Sequence, residues 1–234
     1  MKLTSIKSLT GRIVLESGLH IGSGDSEMRI GGTDNPVIKH PYTLEPYIPG
    51  SSVKGKVRSL LELKSGLIGR RNNGDGGPLG LKDLAHLSGN ERLECMSILK
   101  LFGISGADTD EKGEIGPSRA SFADCMLDDN WKKQEFMSSQ GFTEIKSENA
   151  IDRIKGTALN PRFSERVPAG TEFCFTIGLK VFEGDEEIEQ VLLQGLKLLE
   201  MDALGGSGSR GYGRVRFEFD DEENRRAFAS TTPL

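Results

Sequence analysis

Hydrophobic and polar positions alternate most cleanly over Glu172–Phe182 (EFCFTIGLKVF), the pattern of a half-buried strand. A weaker alternation, enriched in β-branched residues, runs from Ile6 to Leu15, and Arg119–Leu127 and Arg214–Phe219 read as further strands. Elsewhere the period lengthens. After Tyr47-Ile-Pro-Gly50, Ser51 and Ser52 offer N-caps to a helix running to about Lys64, with Val53, Val57, Leu60 and Leu61 on its inner face. Ile188, Val191, Leu192, Gly195, Leu196 and Leu199 fall on one stripe of a second helix, and a shorter helix is predicted from about Glu91 to Phe102.

In chain order, and with the irregular stretches removed, the pattern is strand, helix, strand, strand, helix, strand. That is the α+β, ferredoxin-like arrangement, which RRM-type RNA binders also use. The usual RNP aromatics are missing, so base stacking on the sheet is not the expected mode. The irregular stretches read as insertions. Residues 16–50 hold no sustained period, and a loop of that length inside a compact domain is usually functional. Residues 65–90 read as a glycine-rich surface lid. Residues 130–171 are mixed and extended, with a polar, turn-rich run at Glu148–Gly156. No internal repeat is evident.

Composition adds a division of charge. The net charge of −5 over 234 residues argues against indiscriminate binding of polyanions. Yet seven Lys and Arg lie between Lys39 and Arg71 against only Glu45 and Glu62, while acids gather at Glu183–Glu189 and Glu218–Glu223. A basic face on an acidic body binds nucleic acid through one surface. No apolar run is long enough to span a membrane and no secretory signal is visible, so no membrane association is expected. Cys95, Cys125 and Cys174 are odd in number, widely spaced and fit reduced cytoplasmic thiols.

Two segments carry candidate chemistry. Residues 205–213, Gly-Gly-Ser-Gly-Ser-Arg-Gly-Tyr-Gly, hold five glycines between a helix and a strand, flanked by Arg210 and Arg214. Nucleotide-binding glycine loops follow a strand and open a helix, so the order here is wrong for a mononucleotide site. Two readings stay open: a loop that exposes consecutive N–H groups to a nucleic-acid backbone, or a flexible helix-to-strand turn. The second segment is the start of the first helix, where Lys54, Lys56 and Arg58 oppose the helix dipole. Bound phosphate would offset that cost by accepting from the free N–H groups and serine hydroxyls.

Taken together, the segments resemble the RAMP superfamily, specifically the repeated backbone subunit of Csm complexes, the type III-A CRISPR effectors. The match rests on Leu19-His-Ile-Gly22, Thr33-Asp-Asn-Pro-Val-Ile-Lys39, Ile48-Pro-Gly-Ser-Ser-Val-Lys-Gly-Lys-Val-Arg58 and Leu101-Phe-Gly103, followed by Glu148-Asn-Ala-Ile-Asp-Arg153, Asn160-Pro-Arg162, Glu165-Arg-Val-Pro-Ala-Gly170 and the glycine loop. The resemblance implies a single RAMP domain over residues 1–234. Its palm would comprise roughly 1–15, 51–64, 119–129 and 172–219, with a catalytic loop at 16–50, a lid at 65–118 and a thumb at 130–171.

It also implies copies aligned head to tail on a CRISPR guide RNA with other Csm subunits, each thumb displacing a base of the guide–target duplex. Guide contacts are expected from His20, Ser51, Ser52, Lys54, Lys56, Arg58, Arg119, Gly206, Ser207, Gly208 and Arg210, and thumb contacts from Arg153, Asn160, Arg162 and Phe163. Asp34 matches the loop aspartate of active relatives and is expected to cut the complementary target RNA, holding Mg2+ or another divalent cation or accepting the 2′-hydroxyl proton. Without the resemblance, Asp34 before Asn-Pro reads as an Asx-turn residue. A non-cutting, guide-binding structural subunit is the alternative. Some relatives carry a cysteine pair where this chain has Met96-Ser-Ile-Leu-Lys100, so no structural zinc is expected.

Overall fold

The computed structural model describes residues 2–24, 35–68, 76–106, 110, 113–135 and 141–234. Four strand positions form one antiparallel sheet. Its order is β2 (Ala120–Phe122), β6 (Glu172–Phe182), β1 (Leu3–Leu15) and β7 (Val215–Phe219), and β3 (Met126–Leu127) also pairs with β6. This is the ferredoxin-like order. The register sets the faces: Ile13 lies opposite Phe173 on one side and Phe217 on the other, and Leu9 lies opposite Ile177. These side chains point inward with Phe175, Leu179 and Phe219, while Thr10, Arg12 and Thr176 face outward. The two-residue period of a strand sends alternate side chains to opposite faces.

Two long helices cover the inner face, α1 (Gly50–Ser65) and α5 (Ile188–Met201). Val53, Val57 and Leu61 of α1 and Leu192, Leu196 and Leu199 of α5 are buried, as their spacing predicts. The start of α1 corrects the expected serine caps. The helix begins at Gly50, and neither Ser51 nor Ser52 caps it; the Gly50 N–H donates to Asp124 Oδ1 at 2.8 Å instead. A Cβ on Gly50 would sit 2.3 Å from the Phe122 carbonyl oxygen, so only glycine lets the helix start this close to the sheet. The same contact breaks the strand expected over Arg119–Leu127 into β2 and β3. Between them Asp124 turns to cap α1, and Cys125 exchanges both backbone bonds with Ile48.

The stretch read as a surface lid is partly core. Beyond α1, Leu67, Leu79 and Leu84 are buried, the last in the short helix α2 (Leu81–Leu84). Helix α3 (Gly89–Phe102) starts two residues earlier than expected and buries Cys95, Ile98, Leu99, Leu101 and Phe102. Burial pushes the Cys95 thiol up to about 11 and the Cys125 thiol to about 12, so both stay protonated. The Arg70–Gly77 tract falls mostly outside the described residues. After β3 comes α4 (Asp129–Glu135), and after β7 a C-terminal helix, α6 (Glu222–Ser230), which the hydrophobic pattern did not announce. Asp221 caps it by accepting from the Asn224 N–H at 2.9 Å. Its single large apolar residue, Phe228, packs on Phe219 with ring centroids 4.9 Å apart.

Arg119 corrects one sequence expectation outright. It is buried, with its guanidinium 2.7 Å from Asp185 and donating to the carbonyls of Ile115 and Pro117. It is a core ion-pair residue and is unavailable to RNA. Burial alone would raise the Asp185 carboxyl, but Arg119 and Lys100 outweigh it and hold it below the usual range. The stability this supplies is fully present above the unfolded value near 3.9 and is lost as pH falls through the lower folded value. Arg119→Ala leaves Asp185 buried with only Lys100, and breaking such a pair typically costs about 3–5 kcal/mol. A urea titration of the variant at neutral pH is expected to show that loss; an unchanged midpoint would refute the core role.

Residues 130–171, read as irregular, contain a β-hairpin of their own. Strands β4 (Glu144–Ile151) and β5 (Ala158–Arg166) pair antiparallel as a separate two-stranded sheet. The register shifts between Glu148, opposite Arg162, and Ala150, opposite Leu159. Asn160, at φ 49°, and Pro161 sit in that shift. Proline has no N–H for the ladder, which explains both the bulge and the absence of a clean strand pattern.

Candidate nucleic-acid interface and cleavage loop

Four stretches of chain meet at the root of this hairpin. Leu19 and Val167 exchange backbone bonds at 2.8 Å each, tying residues 18–22 to the end of β5. The Ile38 N–H donates to the Ile21 carbonyl at 2.8 Å, bringing residues 35–39 alongside. The glycine loop closes the group: the Gly206 N–H donates to the His20 carbonyl at 2.9 Å, and the Gly213 N–H to that of Gly18 at 3.0 Å. His20 therefore lies between the glycine loop and the hairpin, its ring Nδ1–H donating to the Glu165 carbonyl at 2.7 Å.

The glycine loop is ordered rather than slack. Ser207 at φ 64° and Gly211 at φ 83° bracket a single 3-10 turn, Gly208–Arg210. Gly205, Gly206 and Gly208 are exposed, as is Arg210, while Tyr212 points inward and is buried. The Tyr212 hydroxyl donates to Glu148 Oε1 on β4 at 3.0 Å, and Arg210 approaches the same carboxylate at 3.4 Å. Lys146 and Arg166 lie over the Tyr212 ring at 4.5 and 5.0 Å. Burial would raise the Glu148 carboxyl, but Tyr212, Lys146 and Arg210 together lower it, so it stays ionised at neutral pH. Both residues lie in motifs that carry the resemblance, but the sequence assigned neither a role, because nothing along the chain shows that Tyr212 and Glu148 meet.

The cations expected on α1 separate into three kinds. Lys54 is part-exposed and has no ion-pair partner among the described residues. Lys56 pairs with Asp202 at 2.6 Å. Arg58 is a further correction: it donates to Glu62 at 2.8 Å and to the carbonyls of Gly103 and Leu79, which makes it a brace between α1 and the segments flanking α3 rather than a free cation. Ser51 is exposed and Ser52 half-buried. On the hairpin Arg153, Asn160, Arg162 and Phe163 are all exposed, with Ile151 and Ile154 beside them.

Asp34 lies outside the described residues, but the chain leaving it is held firmly. Asn35 forms a parallel bridge with Ser164, its carbonyl accepting from the Glu165 N–H at 3.1 Å. The Glu165 carboxylate accepts from the Val37 N–H at 3.0 Å, from Lys39 Nζ at 2.6 Å and from the Thr143 hydroxyl at 2.7 Å. Burial acts to raise this carboxyl, yet those three donors hold it below the ordinary glutamate range. Among the described residues no cluster of three or more His, Cys, Asp or Glu could hold a metal ion. None of the described helices is long and apolar enough to cross a membrane.

A ferredoxin-like sheet carrying an ordered glycine loop and an inserted β-hairpin defines a class, and comparison with known proteins gives its family. The chain belongs to the RAMP superfamily, whose model matches residues 12–216. It is 40% identical over 225 residues to the CRISPR system Cms endoribonuclease Csm3 of Methanothermobacter thermautotrophicus, covering 90% of this chain and 82% of that one. It is 42% identical over 212 residues to the protein of the same description from Methanocaldococcus jannaschii, covering 89% and 77%. Among solved structures it resembles a Csm3–Csm4 subcomplex of the type III-A CRISPR-Cas interference complex, with a TM-score of 0.54, 27% identity and coverage of 97% and 85%. The type III-B Cmr-beta complex bound to cognate target RNA shares the fold, with a TM-score of 0.56 at 16% identity, over 91% of this chain and 59% of that one.

Proposed function

We propose that this chain is the guide-RNA-binding backbone subunit of a type III-A CRISPR effector, and that it cleaves guide-complementary RNA at regular intervals with the help of a divalent cation. The observation that carries the reading is the convergence of the His20 segment, the glycine loop and the arm leading from Asp34 at the root of one hairpin. Guide phosphates would run past the exposed glycines, Arg210 and Lys54, and target RNA past the hairpin face bearing Arg153, Asn160, Arg162 and Phe163. Copies of the chain would line up head to tail along the guide with other Csm subunits, in the cytoplasm.

The chemistry asks little of the protein. The 2′-hydroxyl forms a bond to the adjacent phosphorus, the bond from phosphorus to the 5′ oxygen breaks, and the hydroxyl proton ends on that leaving oxygen. A nucleotide held out of the helix supplies the in-line geometry, and Asp34 accepts the proton or orients the phosphate. The donor set suits a hard ion with few protein ligands. Glu165 on the adjoining strand is already engaged by three donors, so Asp34 and the substrate's own oxygens would hold the ion, and Mg2+ is commonly held by few protein ligands. Such an ion would neutralise developing charge on the phosphate.

The test is an end-labelled complementary RNA incubated with the assembled guide complex in Mg2+ and resolved on a denaturing gel. Evenly spaced products are expected; an intact target would favour the non-cutting structural subunit. Guide contacts have their own signature. Lys54→Ala should lower affinity for every guide sequence alike and reduce the salt slope by about 0.7 in log–log terms, the loss of one phosphate contact on a single strand. Lys56→Ala should do less, because Asp202 already neutralises that ammonium. Filter binding across a salt series checks both, and a loss selective for guide sequence would refute backbone contact.

A further inference from the structure

Glu165 uses its side chain and its main chain for different tasks. Its backbone accepts from His20 and donates to Asn35, so it holds the guide-side loop and the first residue after Asp34. Its carboxylate closes over the same arm two and four residues further on, through the Val37 N–H and Lys39, and reaches Thr143 just before β4. One buried carboxylate thus cross-links the arm of the cleavage loop to both strands of the hairpin. A buried carboxylate is unusual in a strand whose first six side chains are exposed and whose other two are only part-buried. Three donors converging on one buried charge make a rigid junction, since each bond restricts the others.

We infer that Glu165 is a positioning residue for RNA cleavage: through Val37, Lys39 and Thr143 it fixes the reach of the Asp34 loop relative to the hairpin. It touches neither the guide nor the scissile phosphate. The inference rests on the proposed role of Asp34. If the hairpin displaces a nucleotide and Asp34 acts on the exposed phosphate, the two must keep a constant separation, because an ångström of misplacement costs on the order of 100-fold in rate. Of the described contacts, those made by Glu165 alone join Thr143, at the foot of β4, to the Val37–Lys39 arm through one side chain.

Glu165→Gln separates the two tasks. It keeps the shape and both main-chain bonds, but the amide carries no charge for Lys39 and can accept from fewer donors. In the assembled complex, guide affinity and target affinity are expected to match the unaltered protein. The single-turnover cleavage rate at saturating complex should fall at least tenfold, with the concentration giving half-maximal rate unchanged. Hydrogen exchange should accelerate in peptides covering residues 35–39, where the Val37 N–H loses its carboxylate acceptor, and stay level in peptides from β1 and β6. Thr143→Val, which removes one neutral donor and keeps the charge pair, should show the same signature at a few-fold level.

Unchanged exchange at 35–39, or cleavage by Glu165→Gln at the original rate, overturns the inference. So does loss of guide binding in Glu165→Gln alongside full-rate cleavage by Thr143→Val, since the residue would then merely support the fold. Asp34→Ala runs as the parallel control. If it still cuts, the Asp34 reading has failed; if it is inactive while Glu165→Gln cuts normally, only the positioning role has.

Discussion

Complexes carrying Asp34→Ala are expected to assemble on guide RNA and bind complementary RNA normally, yet to leave it uncut. The neighbouring Asn35 is held by main-chain bonds that the substitution does not touch, so the arm keeps its course along β5. What disappears is a carboxylate. Positioned general-base catalysis contributes roughly 10²–10⁴-fold, and loss of a carboxylate that would anchor the proposed divalent ion adds to that, so cleavage should fall below detection. Asp34→Asn should fail almost as completely, because an amide preserves the shape but has neither charge nor basicity. EDTA added to the unaltered complex should reproduce the defect, and restored Mg2+ should reverse it. A product ladder of normal intensity from Asp34→Ala would remove the residue from the chemistry.

Gly213→Ala is expected to be the most damaging single change in the glycine loop, although it adds only a methyl group. Gly213 sits at φ +73°, and a Cβ there would lie 1.9 Å from the Leu204 carbonyl oxygen. Its own carbonyl accepts from Leu204 at 2.8 Å and its N–H donates to Gly18 at 3.0 Å, so the backbone cannot swing aside without releasing the first strand's exit. Left-handed strain and a backbone clash each contribute about 1–3 kcal/mol, so a loss of about 3 kcal/mol or more is expected. Gly211→Ala is the control. Its φ of +83° is equally left-handed, but nothing lies within 4 Å of the added carbon, so only about 1–2 kcal/mol should be lost. Urea midpoints of the two variants measure the difference. Guide affinity should fall with Gly213→Ala, because the His20–Gly206 contact depends on the same closure. Equal midpoints would show that the loop is slack.

The two substitutions mark where local pattern stops being informative. Strand β6 and helix α5 were legible because burial of one face imposes a period of 2.0 or 3.6 on the residues themselves. The glycine loop was legible as a loop, and the ordered motifs pointed to the family. The inward turn of its Tyr212 was not legible, since the acceptor for the hydroxyl, Glu148, lies sixty-four residues away in sequence and Lys146 and Arg166, over the ring, belong to the same distant hairpin. Hairpin β4–β5 was missed for a related reason: most of its side chains are exposed, so no buried face imprints an alternation, and Asn160-Pro161 interrupts what remains.

Charge shows the same limit more sharply. Lys54, Lys56, Arg58 and Arg119 are one kind of residue in a sequence and four different things in the fold. Lys54 has no ion-pair partner among the described residues, Lys56 is neutralised by Asp202, Arg58 braces backbone carbonyls, and Arg119 is locked in the core by Asp185. Residue type sets that a guanidinium carries charge; only the tertiary structure decides whether water, RNA or a buried carboxylate meets it. By itself the sequence determined the ferredoxin-like order and the family, because those follow from periodicity and from motifs read along the chain. The placement of Glu165 beside Val37, Lys39 and Thr143 was decided by the fold alone, because side-chain hydrogen bonds that span 128, 126 and 22 residues of sequence leave no periodic trace in any of the segments they join.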